Sequence, residues 1–265
     1  GASAGGAAPA DAANIAWDEE FDVVIIGAGA AGMTAAITVA REGNGKTCLL
    51  AEKEPQPNGN SPFCAGDFSW TTVPDDYYTY LKELAGEHTT TPDEVLRVFA
   101  NGLGQVKDWV VELGAREEEM QILPNGTAED PYLNIDVVWP ELECSYAHAM
   151  CTIGGIVRDD PEYDLKGEPH IFTFLTNRVN EHTDVVDYRT NFAMEELIQD
   201  AAGRIVGAVI DGKNIKARDG VIMCCGGFEN DPALKENTFG VSTIVPAAGQ
   251  GNTGDGHRAC MKVGA

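Results

Sequence analysis

The spacing of apolar residues changes several times along the chain, and each change marks an element. Phe21–Ile26 (FDVVII) is a short β-branched run, and Thr47–Glu52 (TCLLAE) is a second compact apolar run. Both predict buried strands. Between them, Ala30–Glu42 is Ala-rich and predicts a helix, closed by a turn at Gly43-Asn44-Gly45. Strand, helix and strand in this order form a βαβ unit, so the sheet is at least partly parallel. A Pro-, Asn- and Gly-rich loop runs from Pro55 to Gly66, followed by a short helix at Asp75–Ala85 and a long one at Pro92–Leu113. In the long helix Thr91 and Glu94 have capping-box spacing and Pro92 takes the first helical position. Its Val95, Val98, Phe99, Leu103, Val106, Trp109, Val110 and Leu113 recur at helical spacing and predict a core face.

From Arg116 to Glu168 the pattern dissolves into an acidic, proline-punctuated excursion. Order returns with a helix near Ile171–Glu181. Strands follow near Val185–Arg189, Met194–Asp200, Arg204–Asp211 and Gly220–Cys225, with turn signals at Ala202-Gly203 and Asp211-Gly212. A second glycine-rich turn, Gly249–Gly256, leads into a helix at His257–Val263. These elements predict an α/β fold. A Rossmann-like domain with a parallel sheet and flanking helices carries an added antiparallel β-meander.

Composition narrows the functions. The formal charge of −24, from 42 acids against 18 bases, repels nucleic acid and disfavours anionic membrane surfaces. Val23–Ala40 carries no charge and reaches the length of a membrane span. However, Gly27, Gly29 and Gly32 interrupt it and Asp22 and Arg41 close it, so no membrane insertion is expected. The seven cysteines are odd in number and lack a C-x-x-C pair, which disfavours a disulfide framework or a metal site. Cys224-Cys225 read as small apolar residues ending a buried strand. Residues 1–16 are expected to be a flexible tail and residues 17–265 one domain. The low-complexity start fits a linker left after removal of an export signal, so location outside or inside the cytoplasm stays open.

Candidate chemistry sits in the turns. Gly27-Ala28-Gly29-Ala30-Ala31-Gly32 follows a strand and opens a helix, and Glu52 ends the next strand. This is the dinucleotide fingerprint: glycines for the tight turn, close backbone approach to a pyrophosphate and helix–strand packing, with a carboxylate for ribose hydroxyls. The fingerprint alone does not choose between NAD and FAD. Three further small-residue turns bear on that choice: Asn58-Gly59-Asn60-Ser61 with Cys64-Ala65-Gly66-Asp67, Cys225-Gly226-Gly227-Phe228, and Asn252-Thr253-Gly254-Asp255-Gly256. Each lets the backbone pass close to a flat ring or offers a capping carboxylate.

Taken in order, these motifs resemble the FAD-dependent fumarate reductase/succinate dehydrogenase flavoprotein family, which includes urocanate reductases and ketosteroid dehydrogenases. The resemblance runs from about Phe21 to Ala265. It implies FAD as cofactor, with Gly27, Gly29, Ala30, Ala31 and Gly32 along the pyrophosphate and Glu52, beside Lys53, at the adenosine ribose. It places Asn60, Ser61, Ala65, Gly66 and Asp67 beside the ribityl chain and ring, Ala193 at the adenine, and Gly226, Gly227, Thr253 and Asp255 on the inner wall. The chain departs from the family where Asn58-Gly59 replaces paired glycines, where Asp67 replaces Gly, and where Cys224-Cys225 replaces Ala-Thr.

In that family a capping domain follows the Thr-Gly-Asp-Gly helix and supplies the catalytic His and Arg groups. None is expected within this chain, so a C-terminal remainder or a second chain would provide them. His148 is the foremost candidate for lining a substrate entrance, ahead of Arg158 and His170. No catalytic residue is assigned and no metal is expected. The implied reaction is hydride exchange between flavin N5 and an activated C=C bond, with a small enoate or enone as substrate. A ketosteroid dehydrogenase using Phe68, Trp70, Tyr77, Tyr78 and Tyr80 as apolar surface is one alternative. A non-catalytic FAD-binding fragment needing a second chain is another, and a nicotinamide-dependent dehydrogenase a third.

Overall fold

The computed structural model describes residues 15–64, 66–87, 89–124, 139, 141–153, 170–247 and 249–265. Contacts divide the chain into two units, residues 1–64 with 175–265 and an inserted segment, Ala65–Phe174.

The first unit is built on a six-stranded sheet. Its strands are β1 (Glu19–Ile26), β2 (Cys48–Ala51), β6 (Val186–Arg189), β7 (Met194–Gln199), β8 (Ile205–Ile210) and β9 (Lys213–Met223), in the order β6-β2-β1-β9-β8-β7. The pairs β6·β2, β2·β1 and β1·β9 are parallel, and β9·β8 and β8·β7 are antiparallel. The Rossmann-like half and the meander are therefore one sheet, joined by β9. Lys213–Lys216 of β9 pair with β8, while Ile215–Met223 pair with β1.

Alternation along β1 and β2 sorts the core onto two faces. Val24, Ile26, Leu49 and Ala51 pack in one cluster with Phe192, Ala208, Ile210, Ile215 and Ala217. Ile25 and Leu50 point the other way and are fully buried. On that side lies α1 (Ala30–Glu42), whose Met33, Ala36 and Ile37 are buried at helical spacing. Thr176, on the part of α4 (Ile171–Asn180) that belongs to this unit, donates to Met33 Sδ at 3.3 Å.

Two helices complete the unit. α5 (Pro232–Phe239) is capped by Asp231, whose side chain accepts from Leu234 N, with Pro232 at the first helical position. The hydrophobic pattern predicts no helix there, because its apolar residues do not share a face. α6 (Asp255–Lys262) starts two residues before the expected His257.

The second unit holds a three-stranded antiparallel sheet in the order β3-β5-β4: β3 (Asp67–Trp70), β4 (Gln121–Pro124) and β5 (Ala149–Thr152). It also holds the helices α2 (Pro74–Ala85) and α3 (Asp93–Glu112). Among the described residues, the Arg116–Glu168 excursion thus contains two strands, each four residues long and paired only at a distance. Tyr77 and Tyr80 of α2 pack with Ala100 and Leu103 of α3 and with Ala147, so these tyrosines are core residues.

α3 corrects the expected core face. Leu103 and Val110 are buried, but Val95, Val98 and Phe99 are exposed, Val98 at 71%. The predicted stripe covers more of the helix circumference than its neighbours reach. Pro92 is the N-cap rather than the first helical residue, and no side chain caps the helix, so the Thr91/Glu94 capping box is not formed.

Candidate cofactor site

Parallel register brings the ends of three strands level: Ile26 lies beside Ala51 on one side and Met223 on the other. The residues just beyond them, Gly27, Glu52 and Cys224, therefore meet at the carboxyl edge of the sheet, where open α/β folds bind ligands. Gly27 N donates to Ala51 O and Cys224 N to Ile26 O, both at 2.7 Å. A cavity of about 360 Å³ opens at this edge.

Gly27 has φ +98°, and a Cβ there would stand 2.4 Å from Cys224 O. A Cβ on Gly32 would stand 1.9 Å from Gly27 O. Glycine is required at both positions, at the first by conformation and contact and at the second by contact alone. Gly29 is the N-cap and has no side chain of its own to cap α1, and Gly29, Ala30 and Ala31 line the cavity. Ala30 N donates to Ser61 Oγ at 3.0 Å, tying the 57–61 segment to this helix end.

Glu52 is 7% exposed and lines the cavity. Its Oε2 accepts from Ala28 N and its Oε1 from Glu54 N, each at 3.0 Å. Each carboxylate oxygen keeps a lone pair for a ligand hydroxyl. Lys53, next in the chain, donates to Thr253 Oγ1 and to Asp255 Oδ2, both at 2.6 Å. Burial pushes the Asp255 carboxyl up, but Lys53, Thr253 and Arg258 outweigh it and hold the group below the ordinary range. Cys224 and Cys225 line the wall, and burial pushes the Cys225 thiol up to about 12. At neutral pH that thiol is a protonated, apolar surface.

The cavity gathers Gly27, Gly29, Ala30, Ala31, Glu52, Lys53, Asn60, Ser61, Gly226 and Asp255 from the expected set. Gly32 and Gly227 stand behind the wall, and Thr253 acts through Lys53. Ala193 is exposed and does not line the cavity, although its neighbours Phe192 and Met194 do. Gly66 and Asp67 belong to the second unit, and Ala65 lies outside the described residues. The cavity also takes Pro57, Asn58, Gly59, Gly251 and Asn252, of which the spacing gave only the turns.

In the second unit the His148 ring packs at a tilt against Tyr77, 5.8 Å between ring centroids, and lies 3.4 Å from Ser69 Oγ. His170 Nδ1 accepts from Phe172 N at 3.1 Å. Arg158 lies outside the described residues. Among the described residues no group of His, Cys, Asp or Glu is arranged to hold a metal, and no helix is long and apolar enough to cross a membrane.

The sequence pattern of the FAD binding domain family matches residues 22–265. Digoxin reductase of Eggerthella lenta is 27% identical over an alignment that spans all of this chain and 48% of that protein. Fumarate reductase (cytochrome) of Shewanella frigidimarina is 24% identical, across 90% of this chain and 39% of its own length. The chain thus spans half or less of the length of these relatives. Among solved structures, 3-ketosteroid-Δ4-(5α)-dehydrogenase of Rhodococcus jostii superposes with a TM-score of 0.74 at 21% identity, over 97% of this chain and 56% of that one.

Proposed function

The chain belongs to the FAD binding domain family, and from that membership we propose that it is the FAD-binding portion of an oxidoreductase that reduces or forms an activated C=C bond. The observation that carries this reading is the carboxyl-edge cavity. The N-terminal turn of α1, a glycine with no room for a Cβ and a buried carboxylate with spare acceptor capacity line one space. These features fit a dinucleotide. The first-turn amides of α1 suit a pyrophosphate, and Glu52 suits a ribose.

When bound, FAD supplies hydride exchange with carbon beside a carbonyl or carboxylate. The chain's own residues do the holding. Gly27, Gly29 and Ala31 present backbone, Glu52 accepts from hydroxyls, and Lys53 offsets the charge of Asp255. Ser61 fixes the 57–61 segment against α1, and the protonated Cys225 thiol keeps the wall beside it apolar. The proton donor and the substrate-binding cations would come from outside the described residues. The relatives' names, with digoxin and fumarate among them, support an enone or enoate as the substrate class.

The test is direct. The intact protein should purify yellow with absorbance at about 450 nm and release FAD on denaturation. It should then oxidise a reduced dye with fumarate or a cyclic enone. A colourless protein that binds NAD would overturn the reading. An FAD-loaded intact protein inert toward both acceptor classes would confine it to cofactor binding.

A further inference from the structure

One carboxylate that no motif predicts joins three separate segments of the cavity wall. Glu229 follows the Gly226-Gly227-Phe228 turn beyond β9. Its Oε1 accepts from Asn60 Nδ2 and from Asn252 Nδ2, both at 2.8 Å. A Cβ on Gly227 would stand 2.2 Å from Oε2, so the carboxylate folds back over its own turn. Asn252 is 4% exposed, and its Oδ1 occupies the space beside Gly226 and Gly59. Backbone bonds reinforce the junction: Asn230 N donates to Asn252 O at 2.9 Å and Gly251 N to Asn58 O at 2.7 Å. Burial pushes the Glu229 carboxyl up, but its own amide, the two asparagine amides and His257 outweigh that and hold it below the ordinary range.

Asn60 and Asn252, which this carboxylate joins, both line the cavity. On the FAD reading the α1 N-terminus would hold the pyrophosphate and Glu52, at the end of β2, the ribose of the adenosine half. The strand order β2-β1-β9 would then put the flavin half on the β9 side, toward Asn60, Gly226 and Asn252. We propose that Glu229 is a positioning residue of the flavin half: its carboxylate clasps the 57–61, 226–231 and 249–255 segments into one wall and holds a negative charge behind that wall, on the flavin side. The inference rests on the FAD reading above for the charge, but not for the clasp.

Because both asparagine amides use one oxygen, the two roles separate by substitution. Glu229→Gln keeps a carbonyl oxygen at Oε1 and removes the charge, whereas Glu229→Ala removes both. A fixed negative charge disfavours the extra electron density of a reduced ring, so removing it should raise the flavin midpoint potential.

The experiment uses the intact protein. Hydrogen–deuterium exchange before FAD addition should show E229A exchanging faster at 57–61 and 249–254, with β1 unchanged, and E229Q exchanging like the original protein. With FAD, E229A should bind about tenfold more weakly, the loss of roughly one charge-assisted hydrogen bond. E229Q should bind normally with a midpoint potential shifted upward in dye-equilibration titrations. Unchanged exchange in E229A would overturn the clasp, and an unmoved potential in E229Q would overturn the charge. Should E229A not fold, Asn60→Ala removes one amide from the same oxygen and carries the exchange measurement at 57–61. If the unsubstituted protein takes up no FAD, the functional reading and the charge role fail, while the exchange result still decides the clasp.

Discussion

Lys53 Nζ, at the end of β2, lies 2.6 Å from Asp255 Oδ2 at the start of α6, 202 positions further along the chain. Thr253 Oγ1 lies at the same distance from Nζ, and Arg258 donates to the other Asp255 oxygen at 2.9 Å. The bond joins the carboxyl edge of the parallel sheet to the last helix. It also keeps an anion in the cavity wall neutralised.

Lys53→Met should therefore weaken both fold and site. The pair is about one-third exposed, so the stability loss is expected at about 1–2 kcal/mol, between that of surface and buried pairs. Asp255→Asn in the same protein should recover part of it, because no uncompensated charge then remains. A double-mutant cycle by urea denaturation measures both terms. Additivity of the two substitutions would rule out the coupling.

Glu52→Gln should lower FAD affinity about tenfold or more, since a group that must accept two backbone N–H bonds would turn an amide N–H₂ toward one of them. The glutamine has one acceptor oxygen for Ala28 N and Glu54 N, which now use one carboxylate oxygen each. Quenching of flavin fluorescence in a titration gives the dissociation constant. An unchanged constant would remove Glu52 from the ribose site.

Two glycine-to-alanine changes should differ sharply although both glycines have positive φ. At Gly203 (φ +79°) a Cβ meets nothing within 4 Å, so only the conformational cost of about 1 kcal/mol applies. At Gly27 a Cβ also collides with Cys224 O at 2.4 Å, which the paired strand ends cannot relieve. Gly27→Ala should cost several times more, of order 3 kcal/mol or above. Thermal denaturation of the two variants compares them directly.

Acid stability should depend on Glu19. Hydrogen bonds from Arg189, at 3.0 and 2.5 Å, and from Lys213, at 2.9 Å, hold its carboxyl at about 2, down from an ordinary 4.5. A depressed folded-state value means the contribution is complete above the unfolded pKa and is lost as pH falls from about 4.5 to 2. Glu19→Gln should flatten the acid limb of a denaturation-midpoint profile in that window and leave its slope near pH 7 unchanged. Asp22, held by Arg218 at 2.6 Å and by Thr47 N at 2.8 Å, is depressed in the same sense, as are Glu20, Asp200 and Asp231, and these groups contribute to the slope that remains.

The residues that were legible in the sequence act locally. Gly27 to Gly32 and Glu52 declare themselves because strand, turn, helix and strand are contiguous, and period and composition switch together. The strands β3, β4 and β5 did not, since four residues carry too little alternation and their partners lie far away in the chain. α5 was hidden by its polar composition, although Asp231-Pro232 carried a cap-and-first-turn signal that could have found it. Val95, Val98 and Phe99 show the opposite failure, a clear period whose burial depends on neighbours that the period does not name. Glu229 was illegible for a related reason: its partners Asn60 and Asn252 stand 169 and 23 positions away, and no spacing rule links them.

The pairing of β1 with β9 also bears on how the chain is made. Val23–Ile26 leaves the ribosome as a hydrophobic edge strand, yet Gly220–Met223, its partners, come only after the inserted unit and the meander. At ordinary translation speeds that interval is about 10–40 s, long compared with local helix and hairpin formation. During it a hydrophobic strand of the protein has one open side, the kind of edge that invites pairing with other chains. Nascent chains stalled before β9 should be the species that chaperones hold, and release should coincide with synthesis of Met223.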